Sequence, residues 1–110
     1  MIIEQKNKII YFKNPNFNFI KSLDLIFFKK KYNNYDVILE INYSITSDLI
    51  RIIFNWNEVL QKNNRVLINV VQSMNKLSGI NESLIFVPTY HEAIDFIELE
   101  RINKDLSFNL

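Results

Sequence analysis

The chain has 110 residues, a formal net charge of +1 at pH 7 and no cysteine. Its length fits one domain, and its hydrophobic content of 48% provides enough apolar material for a core. The lack of cysteine excludes disulfides, thiolate nucleophiles and thiolate metal sites. We therefore expect a single cytoplasmic domain over residues 1–110, without direct membrane insertion because no segment is apolar enough.

The N-terminal third predicts one strand and one helix. The strand is KIIYF at residues 8–12, and the turn signal NPN follows it. Apolar residues then recur at helical spacing, which predicts an amphipathic helix over residues 17–32. The predicted inner face of this helix consists of Phe19, Leu23, Ile26 and Phe27.

The middle of the chain predicts a central strand followed by a long helix. DVILEI at residues 36–41 is rich in β-branched residues and apolar enough to be buried on both faces. The helix spans residues 47–62, because Thr46 or Ser47 can cap its first turn and Asp48 suits the positive end of its dipole. Trp56 lies among apolar neighbours and is expected in the core or at the edge of an interface.

The last third repeats this alternation of strands and helices. Strands are predicted at residues 65–71 and 83–87, with a short helix, QSMNKLSG, between them. The only glycine of the chain, Gly79, fits the positive φ that ends such a helix. Thr89 caps a final helix that reaches about Ile102. The alternation predicts an α/β domain with a mostly parallel sheet of four to five strands.

Charge is distributed unevenly along the chain. Residues 1–35 carry seven lysines and two acids, whereas residues 81–100 carry five acids and no lysine or arginine. Two interpretations remain open: ordinary solvated helix faces, or an electrostatically steered contact surface.

The C-terminal half resembles the STAS domain, the module of anti-sigma factor antagonists, stressosome proteins and some transporter subunits. Two short motifs carry this resemblance, which is clearest over residues 36–102. Ser78, Gly79 and Ile80 match a Thr-Gly-Leu-like triplet, and Glu92, Ala93 and Ile94 match a Glu-Ala-Leu-like helix start. The resemblance implies a single STAS-like domain.

The family's Asp-Ser-Ser-Gly-Leu-like phosphoacceptor motif is degenerate in this chain. Counting back from the loop after the long helix aligns Thr46, Ser47 and Asp48 with Asp-Ser-Ser and puts Leu49 in the glycine position. An ungapped count forward from Glu40 instead aligns Asp48 with the family aspartate. The first register keeps the helix phase and is preferred, but neither register retains the glycine.

Three interpretations of Ser47 and Asp48 remain open. They are a helix N-cap with a dipole-matched acid, a phosphoswitch at Ser47, or a fixed negative charge in the acceptor's place. The expected partner-binding or phosphoacceptor region comprises Ser44, Thr46, Ser47, Asp48, Leu49 and Arg51. Partner binding there requires Ser47, Asp48 and Arg51 to be exposed while Ile52 and Ile53 face inward.

The resemblance implies a non-enzymatic protein-binding regulatory module, and the residues themselves predict no catalytic, metal or cofactor site. His91 is the only histidine, and Glu98 and Glu100 point to different helix faces. The resemblance implies bacterial partners such as an anti-sigma factor or kinase, or the ATPase of a lipid-transporting ABC system. No nucleic-acid partner is expected, although the lysine-rich first helix makes a small nucleic-acid binder the alternative from a different class.

Overall fold

The computed structural model describes residues 2–72 and 83–108. Within these ranges the chain forms five strands and four helices. In chain order they are β1 (Ile2–Lys6), β2 (Ile9–Lys13), α1 (Phe17–Ser22), α2 (Leu25–Tyr32), β3 (Asp36–Ile41), α3 (Ser47–Gln61), β4 (Leu67–Val71), β5 (Ile85–Val87) and α4 (Tyr90–Phe108).

The strands form one sheet in the order β1-β2-β3-β4-β5. Strands β2 to β5 are parallel, and β1 pairs antiparallel with β2 at one edge. Parallel neighbours need helical crossovers, which α1, α2 and α3 provide in the first two connections. The prediction of a compact α/β domain with a mostly parallel sheet is therefore confirmed.

The central position predicted for residues 36–41 is also confirmed. β3 lies between β2 and β4, and its apolar side chains are buried. Because side chains alternate along a strand, Val37, Leu39 and Ile41 join one core cluster while Ile38 joins the other. Both faces of the sheet are therefore covered.

Helices α1 to α3 cover one face of the sheet and α4 covers the other. On the first face the indole of Trp56 stacks on the ring of Phe28, with centroids 4.3 Å apart, which places this tryptophan in the core. On the second face Ala93 and Ile97 of α4 pack against Ile68 of β4. The small side chain of Ala93 allows close contact between helix and sheet.

The prediction of one helix over residues 17–32 is wrong. Leu23 adopts an extended conformation, and the Asp24 carboxylate accepts a 2.7 Å hydrogen bond from the Ile26 amide and starts a second helix. The break turns the second segment, so Phe28 and Tyr32 are buried while Ile26 and Phe27 are exposed. The apolar spacing alone predicts one continuous helix, but the Asp24 cap starts a new helix within it.

The N-terminal hairpin was not predicted. β1 and β2 are joined by Asn7 and Lys8, which both have positive φ, 54° and 63°, as a type I′ turn requires. Glycine usually marks the second position of this turn, and lysine stands there instead. The turn therefore lacks its usual sequence signal.

Several other boundaries differ from the prediction. β4 begins at Leu67 rather than residue 65, β5 is limited to Ile85–Val87, and α4 continues past Ile102 to Phe108. The predicted short helix and Gly79 lie outside the described residues. Over residues 2–72 and 83–108, no helix combines the length and apolarity needed to cross a bilayer.

Candidate functional site

The predicted partner-binding segment lies where β3 and β4 end. β3 ends at Ile41, β4 ends at Val71, and these two residues are register partners in the parallel pair. The loop from residue 42 to 46 leaves this edge and leads into α3. Open parallel sheets most often bind their ligands at this carboxyl edge.

Thr46 fixes the start of α3. Its backbone is extended, and its hydroxyl accepts a 3.2 Å hydrogen bond from the Leu49 amide. Thr46 rather than Ser47 is therefore the N-cap, and Ser47 is the first helical residue. The Ser47 hydroxyl is consequently not needed for capping.

Polar side chains at this helix start face solvent. Ser47, Asp48 and Arg51 are exposed, as predicted, and so are Ser44 and Thr46. Arg51 Nη2 lies 3.1 Å from Asp48 Oδ1 within the first turn. An ion pair this exposed contributes little to folding, so both charges remain able to contact a partner.

Leu49 turns into the core, although it occupies the family's glycine position in the preferred register. It is fully buried, as is Ile53, while Ile52 is half-buried against the same cluster. This pattern confirms the predicted inward face of the helix. The bulk of Leu49 therefore does not obstruct the polar surface outside it.

A cleft of about 390 Å³ adjoins the helix start and was missed by the sequence reasoning. Its floor is formed by the ends of β3 and β4, and its wall by the loop that follows β3. The lining residues are Ile41, Asn42, Tyr43, Ser44, Ile45, Val71 and Gln72. The segment therefore offers a recess of mixed polar and apolar lining beside a charged rim.

Tyr43 contributes an unusual polar group to this cleft. Its ring packs edge-on against Phe17, with centroids 6.3 Å apart. Its hydroxyl is buried and has no hydrogen-bond partner among the described residues. Burial raises the pKa of Tyr43 to about 12, so the hydroxyl stays neutral well into the alkaline range.

A second cleft, of about 290 Å³, lies between the N-terminal hairpin and α4. The ring of Tyr11 lies 4.4 Å from that of Tyr90, and its hydroxyl donates a 2.6 Å hydrogen bond to Glu40. Burial, followed by the bond to the Glu40 carboxylate, raises the pKa of Tyr11. This contact holds the Tyr11 side chain in place as a neutral donor.

The remaining candidate metal-ligand and acid–base residues do not form a cluster. His91 is exposed and lies 3.9 Å from Asp95, while Glu98 is exposed on the rim of the second cleft. Across residues 2–72 and 83–108, no group of three or more His, Cys, Asp or Glu side chains is arranged to hold a metal ion.

Only one of the two family-like motifs lies among the described residues. Glu92, Ala93 and Ile94 form the first turn of α4, where Ala93 is buried and the Glu92 amide donates to Thr89. The cap predicted at Thr89 is therefore confirmed. Ser78, Gly79 and Ile80 lie outside the described residues.

In comparisons with known proteins, the sequence matches no protein-family model and no curated protein. The resemblance to STAS domains rests on the short motifs quoted above.

Proposed function

We propose that this protein is a non-enzymatic, protein-binding regulatory module of the STAS type, which contacts its partner through residues 43–51. The observation that carries the proposal is the exposure of Ser47, Asp48 and Arg51 around the start of α3, beside a partly apolar cleft. A polar rim around an apolar recess is the usual anatomy of a protein-binding surface.

The rigidity of the segment supports this role. Leu49 and Ile53 anchor the first turns of α3 in the core, and Thr46 caps them. A partner therefore meets a preformed helix start, which limits the entropic cost of association at that part of the surface.

The charge at the helix start supports binding without a phosphorylation cycle. Asp48 already supplies an exposed carboxylate in the first turn of α3, paired with Arg51. A phosphate on the neighbouring Ser47 would add roughly −1.5 to −2 charges beside that carboxylate. In this proposal the permanent negative charge of Asp48 makes phosphorylation of Ser47 unnecessary for partner binding.

The test is affinity capture from a lysate of the native cells with two charge reversals on the same helix. Arg51→Glu alters the proposed surface, and Glu58→Lys alters an exposed site about two turns further along. We expect an anti-sigma factor-like kinase or an ABC-transporter ATPase to be retained by the wild type and by Glu58→Lys, and lost with Arg51→Glu. Equal retention by both variants would contradict the surface assignment.

The same preparation tests the nucleic-acid alternative. Lys29, Lys30 and Lys31 lie together in the last turn of α2. Strong retention on heparin that collapses with modest salt, and falls when these lysines are replaced, would support nucleic-acid binding instead of the protein-binding module.

A further inference from the structure

Two exposed apolar patches remain outside the proposed partner surface. The first, the α2 tip, consists of Leu25, Ile26 and Phe27, and the second, the α4 stripe, consists of Leu99, Ile102 and Leu106. Ile26 is 66% exposed, and each residue of the stripe is between 56% and 58% exposed. Side chains this large and this exposed, grouped in patches, indicate a contact surface.

The α4 stripe has the geometry of a helix-docking seam. Its residues are spaced by three and four positions, so they share one face of the helix and cover about 10 Å along its axis. Helix α2 has eight residues and is about 12 Å long. The apolar tip occupies only the first turn of α2, so it covers one end of the stripe, and the lysines that follow it extend along the rest.

The charges beside the two patches are opposite. Lys29, Lys30 and Lys31 follow the α2 tip, and no ion pair involves any of them among the described residues. Asp95 and Glu98 precede the α4 stripe and are exposed, with Asp95 near only His91 at 3.9 Å. Each patch thus carries unneutralised charge that the other could neutralise.

We infer that the α2 tip of one copy of this chain docks on the α4 stripe of the next copy. In an antiparallel arrangement the tip meets Ile102 and Leu106, and the three lysines meet Asp95 and Glu98. Asp105, at the far end of the stripe, then lies towards the α1–α2 junction, where Lys21 and Asp24 are both exposed.

Pairing the stripe with itself fits the charges less well. Two antiparallel α4 helices packed through Ile102 would bring Glu98 of one copy towards Asp105 of the other on the same flank. Acids that face each other across such a seam repel. The α2 tip, which the three lysines follow, is the partner whose charges complement those of the α4 stripe.

The contact is head-to-tail because α2 and α4 pack on opposite faces of the sheet. A heterologous contact of this kind leaves one free patch at each end, so further copies can add. We expect the average mass of the wild type to rise with protein concentration without stopping at a dimer. Added salt should weaken the association.

The experiment uses sedimentation equilibrium on the full chain and two double variants. Ile26→Ser with Phe27→Ser removes the α2 tip, and Leu99→Ser with Ile102→Ser removes the α4 stripe. Ile3→Ser is the control, because Ile3 is a large exposed apolar residue outside both patches. All the replaced side chains face solvent, and circular dichroism verifies the fold of each variant.

Each double variant should be monomeric alone, and an equal mixture of the two should form a 1:1 dimer that does not grow. The mixture pairs the intact stripe of one variant with the intact tip of the other. An α2-tip variant that associates like wild type would overturn the proposal, as would a wild type that remains monomeric at all concentrations. If the protein stays monomeric and binds anionic lipid vesicles through Ile26 and Phe27, the α2 tip is a membrane-binding surface, and the head-to-tail proposal is overturned.

Discussion

Arg101 in α4 binds Asp36 at the start of the central strand, 65 positions earlier in the sequence. Its Nη2 and Nε lie 2.7 and 3.0 Å from Asp36 Oδ2, and the carboxylate is almost completely buried. Arg101 also donates to the carbonyl oxygens of Asn7 and Lys8 in the hairpin turn. One guanidinium thus joins α4, the hairpin and the central strand at the edge opposite the proposed partner surface.

Removing Arg101 should destabilise the fold strongly. Arg101→Ala leaves the buried Asp36 carboxylate with the Val66 amide and, as its remaining cation, Arg65, whose Nη1 lies at the longer distance of 3.5 Å. We expect the free energy of unfolding to fall by about 3 kcal/mol, measured by urea denaturation. Arg51→Ala, which breaks an exposed ion pair, should cost less than about 1 kcal/mol. Equal losses in the two variants would contradict the role assigned to the buried pair.

The hairpin turn offers a test of backbone strain. Lys8 has a φ of 63°, a conformation that costs a non-glycine residue roughly 1 to 2 kcal/mol. Its ammonium also lies 5.1 Å from the ring centroid of Tyr35, so replacement removes a cation–π contact. Lys8→Ala loses only that contact, whereas Lys8→Gly loses it and relieves the strain.

We therefore expect Lys8→Gly to be about 1 kcal/mol more stable than Lys8→Ala in chemical denaturation. Comparing the two variants with each other cancels the loss of the lysine side chain. Equal stabilities would show that the turn does not hold residue 8 at positive φ.

Tyr43 should make stability depend on alkaline pH. Its folded pKa of about 12 lies above the ordinary tyrosine value of 10.0, so the folded state keeps this proton where the unfolded state releases it. The contribution is complete below pH 10 and is lost as the pH rises towards 12. Tyr11, whose pKa is also raised, contributes in the same direction.

Tyr43→Phe should accordingly flatten the fall in unfolding free energy between pH 9 and pH 11, without abolishing it. Tyr35→Phe, which alters a half-buried tyrosine whose hydroxyl accepts a hydrogen bond from Gln5, is the control and should keep the wild-type slope. A Tyr43→Phe slope identical to that of wild type would mean that the hydroxyl is not desolvated as described.

Local chemistry made part of the fold predictable from sequence. Asp36–Ile41 was predicted with its observed bounds because β-branched residues fill a strand buried on both faces. The start of α3 was predicted within one residue because Thr46 and Ser47 are both good caps, and only geometry distinguishes them. The outward direction of Asp48 and Arg51 followed from helix periodicity.

What was missed depends on tertiary contacts or on atypical turn residues. The pairing of Arg101 with Asp36 has no local signal, since the two residues meet only when α4 packs against the sheet. The Asn7–Lys8 turn lacks the glycine that usually marks a tight hairpin. The cleft around Tyr43 depends on two strand ends and a loop, so no single segment indicates it.

The proposed absence of a phosphoswitch has its own test. Protein isolated from its native cells should have the unmodified intact mass at Ser47, and Ser47→Ala should bind the captured partner as wild type does. Asp48→Ser should weaken binding, because it removes the fixed charge of the first helical turn. A stoichiometric phosphate on Ser47 that switches binding on or off would show that the family's switch is retained.

The location of the partner surface is tested most directly by hydrogen–deuterium exchange of the protein with and without its captured partner. We expect slowed exchange of backbone amides over residues 43–51, with little change in α4. Protection confined to α2 or α4, with residues 43–51 unchanged, would contradict the proposal that this protein binds its partner at the start of α3.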